Sequence, residues 1–287
     1  MYNIKQYVNE GLKVYELSDE DSKSYIKVVP ERGAIITELV IDGKDILYLN
    51  KETLINREAN IRGGIPILFP ISGQLENGEY ELNSRRYQMK NHGFARNLPW
   101  EVVETNKDKE LSMKLCLRSN EETKKVYPFE FEVIYKYILK KNTLIIEQEY
   151  KNLSDEEMPF YSGFHPYFKT SQKALTIDSD AKAYLDYNDL EEKPFRGIID
   201  LTDKKESLML LDTKKTEIAF NLQEAGKRIS LEYGDEFKYV VCWTEEGKEF
   251  VCVEPWMARS GELNRQEELV YLKPAESLTT FFQIMAE

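Results

Sequence analysis

Short runs of hydrophobic residues recur along the whole chain, and turn-forming residues separate them. Several runs alternate apolar and polar positions, for example residues 131–137 and 145–150. This two-residue period indicates strands with one solvent-facing side. The pattern predicts strands at residues 25–29, 35–41, 131–139, 144–150, 218–222, 239–244, 250–253 and 278–285.

The connections between these runs favour antiparallel pairing. Lys141-Asn142 and Asp42-Gly43-Lys44 are predicted hairpin turns. Helical signals are confined to short segments at residues 203–211 and 222–226, and no strand–helix–strand alternation indicates a parallel sheet. Since no linker or repeat is visible either, we predict an all-β fold, a large antiparallel β-sandwich that forms a single domain over residues 1–287.

Composition narrows the functional classes. Aromatic residues make up 12% of the 287 residues, which suits pleated surfaces, and the net charge of −12 argues against a nucleic-acid partner. The chain lacks a recognisable signal peptide and any apolar run of membrane-spanning length, so we expect no membrane partner and a cytoplasmic location. Three widely spaced cysteines are interpreted as reduced core residues, as expected in that compartment.

The two histidines are the first candidates for chemistry. His92 lies in the polar segment Lys90-Asn-His-Gly-Phe-Ala-Arg96, whereas aromatic residues and a proline surround His165 in Tyr161-Ser-Gly-Phe-His-Pro-Tyr-Phe168. Histidine titrates near neutral pH, so either side chain is a candidate acid or base. The alternative for each is a hydrogen-bonded structural histidine.

Glu254, Arg62 and Arg96 complete the set of candidate polar residues. Glu254 follows the predicted strand at residues 250–253 and precedes Pro255-Trp256, where burial in a pocket would raise its pKa. Arg62 precedes Gly63-Gly64, which permit a sharp turn or a close approach to a ligand. Both arginines are suited to bind hydroxyl or phosphate oxygens. The alternatives are a surface glutamate and ordinary ion pairs.

Other catalytic templates do not match. The glycines after Arg62 are not followed by the Lys-Ser/Thr of a phosphate-binding loop, and no Gly-x-Ser-x-Gly segment or zinc-type Cys/His spacing occurs. An iron site of two histidines and Glu254 has the right ligand count, but Phe94 stands two residues after His92, where such sites often place their carboxylate.

Four segments in this order resemble the aldose 1-epimerase (galactose mutarotase-like) superfamily, including its hexose-6-phosphate mutarotase branch. They are Arg62-Gly-Gly-Ile-Pro-Ile-Leu-Phe-Pro70, Asn91-His-Gly-Phe-Ala-Arg96 with Trp100, Phe164-His-Pro-Tyr-Phe168, and Val253-Glu-Pro-Trp256. The resemblance implies the sandwich of that superfamily, with a sugar cleft on one sheet. It also implies interconversion of the α and β anomers of an aldohexose.

The resemblance also implies roles for single residues. His165 matches the histidine that donates a proton to the ring oxygen, and Glu254 matches the carboxylate that takes the proton of the anomeric hydroxyl. The implied substrate-binding residues are Arg62, His92, Arg96, Trp256 and, by a loose match, Asp186, for which Asp178 and Asp180 are possible substitutes. Rings at Phe69, Phe164, Tyr167 and Trp256 are candidates to stack on a sugar, and we expect at least half of them to pack in the core instead.

Mutarotation moves protons only, so we expect neither a cofactor nor a metal. One base at the C1 hydroxyl and one acid at the ring oxygen suffice, and a working His165 acid needs its charged form favoured, which Glu254 is placed to do. The expected partner is a small sugar, free or phosphorylated, bound by a monomer or homodimer. The alternatives are a non-catalytic sugar-binding or sensing protein and a metal-dependent β-sandwich enzyme.

Overall fold

A computed structural model describes all residues, 1–287, and contains 26 strands, three short α-helices and three single-turn 3-10 helices. The α-helices are α1 (Lys51–Ile55), α2 (Glu121–Val126) and α3 (Glu262–Arg265), and none is long and apolar enough to cross a membrane. The strands are β1 (Tyr2–Asn9), β2 (Leu12–Asp19), β3 (Ser24–Val29), β4 (Ile35–Ile41), β5 (Lys44–Asp45), β6 (Ile67–Leu68), β7 (Glu79–Leu82), β8 (Arg85–Gln88), β9 (Glu101–Asn106), β10 (Leu111–Arg118), β11 (Phe131–Lys140), β12 (Thr143–Asn152), β13 (Met158–Phe160), β14 (Gly163–Phe164), β15 (Tyr167–Lys169), β16 (Ala174–Asp178), β17 (Ala183–Asp186), β18 (Glu191–Pro194), β19 (Ile198–Asp200), β20 (Leu208–Leu211), β21 (Glu217–Leu222), β22 (Lys227–Tyr233), β23 (Tyr239–Trp243), β24 (Phe250–Trp256), β25 (Val270–Leu272) and β26 (Ser277–Ala286).

Two large antiparallel sheets form the sandwich. The nine-stranded sheet has the order β19-β16-β21-β22-β26-β12-β11-β10-β9, and the eight-stranded sheet has the order β18-β17-β20-β23-β24-β14-β6, with β15 paired beside β24. A five-stranded sheet, β1 to β5, joins the same core, and two hairpin-sized sheets complete the fold. The predicted all-β antiparallel sandwich is therefore confirmed.

A single cluster of 62 buried hydrophobic residues fills the space between the sheets and reaches from Leu17 to Ala286. The nine-stranded sheet contributes the ring of Tyr135, which packs 5.8 Å from Phe164 of the other sheet. Within this core, Tyr150 donates a hydrogen bond to Ser162, whose hydroxyl donates to the carbonyl of Leu68. These polar groups are satisfied by one another, so their burial does not cost the free energy of an unpaired donor or acceptor.

All eight predicted strand segments are strands in the structure, most of them one to three residues longer. Both predicted hairpin turns are also confirmed. Lys141-Asn142 joins the paired residues Lys140 and Thr143. In the second turn Asp42-Gly43 joins Ile41 and Lys44, and Lys44 is already the first residue of β5. Asp42 and Gly43 both have positive φ, as the tight two-residue turn requires.

Gly64 and Gly93 lie where a neighbouring backbone segment approaches too closely for a side chain. A Cβ on Gly64 would lie 2.4 Å from the Ile36 carbonyl oxygen, and a Cβ on Gly93 would lie 2.3 Å from that of Phe69. Both glycines have positive φ. The sharp-turn interpretation of Gly63-Gly64 therefore applies, and the backbone that these glycines approach belongs to neighbouring segments.

These close contacts predict that Gly93→Ala destabilises the fold more than Gly11→Ala does. Gly11 has a similar φ of 79° but no heavy atom within 4 Å of its would-be Cβ. Gly11→Ala should reduce the free energy of unfolding by about 1 kcal/mol, the cost of the left-handed backbone alone. Gly93→Ala should cost clearly more in the same urea titration, and equal losses would show that the Phe69 contact relaxes freely.

Candidate active site

Alternation along β24 places the candidate carboxylate outside the core. Val251 and Val253 point into the space between the sheets, while Cys252, Glu254 and Trp256 point to the opposite face. The predicted strand end at Val253 is wrong, because the strand continues to Trp256. Glu254 lies inside β24, where Val241 of β23 is its direct neighbour, and only 1% of it is exposed.

His165 lies in the bend between β14 and β15, which both pair with β24. Its backbone N–H donates to the carbonyl of Pro66, and its ring stacks on Tyr167 with 4.7 Å between centroids. These contacts place Nε2 of His165 3.4 Å from Oε1 of Glu254. An imidazole and a carboxylate 89 positions apart in the sequence therefore meet on one sheet face.

Hydrogen bonds also fix the orientation of the second carboxylate oxygen of Glu254 and of the His92 ring. Oε2 of Glu254 accepts a hydrogen bond of 3.1 Å from the indole N–H of Trp256. Nδ1 of His92 accepts a 2.9 Å hydrogen bond from the backbone N–H of Gly73. The backbone N–H of His92 in turn donates to the carbonyl of Gly73. Because Nδ1 is the acceptor, a neutral His92 carries its proton on Nε2 and acts there as a donor.

These groups line an open cleft of about 290 Å³ on the outer face of the eight-stranded sheet, near the lower end of the usual range for ligand pockets. A larger groove of about 650 Å³ near the N-terminus is lined by neither histidine, so the chemistry points to the smaller cleft. The residues that line the cleft are Arg62, Gly73, Gln74, Asn91, His92, His165, Tyr187, Lys205, Glu206, Ser207, Val241, Trp243, Glu254, Trp256 and Ser260.

Burial dominates the electrostatics of the pair. It lowers the pKa of His165 well below 6.5, and the positive charges of Arg96 and Arg62 act in the same direction. It raises the pKa of Glu254 well above 4.5, against the opposing effect of the Trp256 hydrogen bond. The pKa of His165 is therefore shifted opposite to the expectation that Glu254 would favour the charged imidazolium, because burial disfavours that form.

Of the two predicted arginines, only Arg62 lines the cleft. Its guanidinium carbon lies 5.1 Å from the ring centroid of Trp243, and its Nε lies 3.5 Å from Glu245. Arg96 is instead only 7% exposed and does not line the cleft; it donates to the carbonyl of Asn91 and leaves its Nε unpaired. Burial lowers the pKa of Arg96 to about 10. Arg96 therefore acts on the site through its charge, which lowers the pKa of both histidines, and does not itself line the cleft.

Asp186 differs most from its predicted role. Its carboxylate is fully buried, does not line the cleft, and accepts hydrogen bonds of 2.8 Å from Lys193 and 2.7 Å from Lys204. Burial alone would raise its pKa, but these two bonds hold the pKa below the usual range. The substitutes are no closer to the cleft, because Asp178 pairs with Arg228 and Asp180 accepts backbone N–H groups of Lys214 and Lys215.

Asp186 instead helps to position one wall of the cleft through Asn188. It accepts a bond from the side-chain amide of Asn188, whose own oxygen accepts the backbone N–H groups of Lys205 and Glu206. From the opposite side, the indole of Trp243 donates to the carbonyl of Lys205. The wall segment, residues 205–207, is thereby fixed between β17 and β23 by hydrogen bonds.

Sequence reasoning missed Trp243 and Lys205. Trp243 follows the outward positions of β23 at Tyr239 and Val241, so strand alternation was a usable signal for it. Lys205 carries no such signal, because its place depends on the Asn188 contact. The aromatic expectation is confirmed, since Phe69 and Phe164 belong to the main core and Tyr167 is buried, while Trp256 lines the cleft.

The thiol of Cys252 lies next to the histidine–glutamate pair. The ligand atoms of His165, Cys252 and Glu254 all lie within 4.8 Å of one another, and all three residues are buried. The group capable of metal binding thus contains Cys252 in place of His92, which differs from the two-histidine iron site considered from the sequence. Cys116 and Cys242 are also free and buried.

Solved structures of other proteins share this architecture. The Slr1438 protein from Synechocystis sp. PCC 6803 superposes with a TM-score of 0.93 at 33% identity, covering 100% of this chain and 99% of that one. A galactose mutarotase-like protein from Clostridium acetobutylicum superposes with a TM-score of 0.84 at 20% identity, covering 100% and 98%. The predicted galactose mutarotase-like sandwich is therefore confirmed.

Sequence relatives point to the same family. A protein of Escherichia coli K12 named "Putative glucose-6-phosphate 1-epimerase" is 28% identical over 171 residues, which are 58% of this chain and 53% of the relative. The family model described as Aldose 1-epimerase matches residues 13–284. That match covers nearly the whole chain, including the cleft, the histidines and Glu254, and the chain belongs to the aldose 1-epimerase family.

Proposed function

We propose that the protein is a mutarotase that interconverts the α and β anomers of an aldohexose by acid–base ring opening. The observation that carries this proposal is the 3.4 Å approach of His165 Nε2 to Glu254 Oε1 in an open cleft. Two proton-transfer groups of this kind each typically contribute about 10²–10⁴ in rate. No hydride or phosphoryl group moves in this reaction, so the two side chains carry all of its proton transfers.

The pair holds one proton over the pH range between its two pKa values. With the pKa of His165 lowered and that of Glu254 raised, burial favours a neutral carboxyl group beside a neutral imidazole. The other one-proton arrangement is a carboxylate beside an imidazolium. Both arrangements contain one acid and one base.

Ring opening converts one arrangement into the other. The carboxylate of Glu254 takes the proton of the C1 hydroxyl, C1–O1 becomes a carbonyl, the bond from C1 to the ring oxygen breaks, and that oxygen takes the imidazolium proton of His165. The pair is then neutral. Rotation about C1–C2 and the reverse transfers close the ring on the other carbonyl face. Burial therefore stabilises the protonation state that accompanies the open-chain sugar.

The cleft suits a neutral sugar better than a phosphorylated one. Arg62 lies 3.5 Å from the carboxylate of Glu245, and Arg96 does not line the cleft. Lys205 also lines the cleft, and its positive charge is the observation that favours a sugar phosphate. Glucose 6-phosphate is the sugar in the name of the Escherichia coli relative. We therefore propose free aldohexose as the substrate and hexose 6-phosphate as the alternative.

Loss of either proton-transfer group should nearly abolish anomer exchange. We expect His165→Ala and Glu254→Gln each to slow the exchange of α-glucose or α-galactose by about 10²–10⁴-fold. Exchange can be followed by polarimetry or NMR, with circular dichroism to check folding. Glu246→Gln removes an exposed carboxylate outside the cleft and is the matched control. Native rates in both pair variants would refute the assignment.

The raised pKa of Glu254 predicts a pH-dependent stability difference. The folded protein keeps a proton on this carboxyl above pH 4.5, where the unfolded chain loses it, so the stabilisation is lost as pH rises through the folded pKa. Glutamine cannot ionise, and the free energy of unfolding of Glu254→Gln relative to the native protein should therefore increase as the pH rises above about 5. Urea titrations measure this trend, and Glu246→Gln should lack it. A flat difference for Glu254→Gln would mean that the carboxyl is well solvated.

Lys205→Ala separates the two sugar classes. A lost charge-assisted bond to phosphate costs about 1.5–3 kcal/mol, which is roughly 10- to 100-fold in KM. If the substrate is a free aldohexose, the KM values for glucose and glucose 6-phosphate should change by similar small factors. A selective rise of tenfold or more for the phosphate would favour hexose-6-phosphate mutarotase instead.

A further inference from the structure

We propose that His165, Cys252 and Glu254 form a binding site for Zn²⁺, and that a bound Zn²⁺ ion inhibits the enzyme. The cation would occupy the proton-transfer pair itself, with the cysteine beneath it as the third ligand. The evidence for the binding site is the geometry of these three residues alone. Only the inhibition rests on the proposed function.

The spacing of the three ligand atoms suits a tetrahedral ion. Nε2 of His165 and Oε1 of Glu254 are 3.4 Å apart. Two ligands at the usual zinc distances of about 2.0–2.1 Å span a tetrahedral edge of roughly 3.3 Å. Sγ of Cys252 lies within 4.8 Å of both, and a zinc–sulfur bond of about 2.3 Å needs only a small shift of that side chain.

The donor set is one that zinc prefers. Thiolate, imidazole and carboxylate are all common zinc ligands, and the thiolate selects against magnesium and calcium. The Trp256 indole holds Oε2 of Glu254, which leaves Oε1 to bind the metal and fixes its direction, as outer-shell partners do in metal sites. Three protein ligands leave the fourth position to water from the cleft.

Charge and proton balance set the strength of binding. Binding releases two protons to solvent, one from the thiol of Cys252 and the one shared by His165 and Glu254. The two anionic ligands then neutralise the dication. The guanidinium groups of Arg62 and Arg96 raise the cost of bringing in a cation, as they do for protonated His165. We therefore expect reversible binding that is weaker than in a closed four-ligand structural site.

Zn²⁺ would inhibit because it binds the same lone pairs of His165 and Glu254 that accept protons during catalysis. A nitrogen of His165 or an oxygen of Glu254 that is bonded to Zn²⁺ cannot accept or deliver a proton at the sugar. The sugar would also have to share the cleft with the ion and its water. Occupancy by zinc and turnover therefore exclude each other.

Co²⁺ titration of the reduced, tag-free full chain tests the site directly. The native protein should develop thiolate-to-cobalt charge-transfer absorption in the near ultraviolet that saturates near one equivalent and disappears when Zn²⁺ is added. Cys252→Ala should lack this band. The matched control is Cys242→Ala, since Cys242 is equally buried on neighbouring β23 but faces the core. A native protein without the band, or a band that survives in Cys252→Ala, would overturn the proposal.

A second measurement needs no variant. X-ray absorption at the zinc edge of the native complex should show one sulfur at about 2.3 Å and nitrogen or oxygen ligands at about 2.0–2.1 Å. A shell without sulfur would overturn the proposal even if Cys252→Ala failed to fold.

Inhibition is tested separately from binding. Zn²⁺ should slow anomer exchange in the native protein and in Cys242→Ala at concentrations at least tenfold below those needed for Cys252→Ala. Equal sensitivity of the variants would refute inhibition through this site. A protein that shows the cobalt band but no anomer exchange would instead refute the proposed function and leave the metal site standing.

Discussion

The site depends on the burial of one imidazole and one carboxylate against each other on the outer face of a sheet. Strand β24 makes this possible because its inward residues, Val251 and Val253, anchor it in the core while Glu254 faces the cleft. The bend between β14 and β15 brings His165 within 3.4 Å of that carboxylate. Desolvation then disfavours the charged form of each group, which lowers the pKa of His165 and raises the pKa of Glu254.

Much of the remaining structure serves to hold this pair and the space above it. The indole of Trp256 and the backbone of Gly73 fix the orientations of Glu254 and His92. The wall at residues 205–207 is fixed from both sides through Asn188 and Trp243. Trp256 and Trp243 donate these bonds from strands β24 and β23, and Asn188 lies two residues after β17, so much of the cleft is held by the sheet itself.

The sequence was sufficient for the β architecture and for the candidate pair, because strand alternation is local and the four motifs are specific. Arg96 and Asp186 were misplaced for a shared reason. Whether a charged side chain enters a cleft depends on partners distant in the chain, here the carbonyl of Asn91 and the amines of Lys193 and Lys204. Polar strands such as β18 were missed because they pair at a sheet edge and carry little apolar signal. The environment of His165 was also beyond local reasoning, since its burial depends on the whole fold.

The central claim is that His165 and Glu254 act as one proton-transfer unit. The most direct test is the anomer-exchange rate of His165→Ala, Glu254→Gln and the double variant under identical conditions. Groups that act as a unit lose their function together, so the double variant should be no slower than the slower single variant. If the two losses instead multiply in the double variant, the residues contribute independently and the shared-proton account is contradicted.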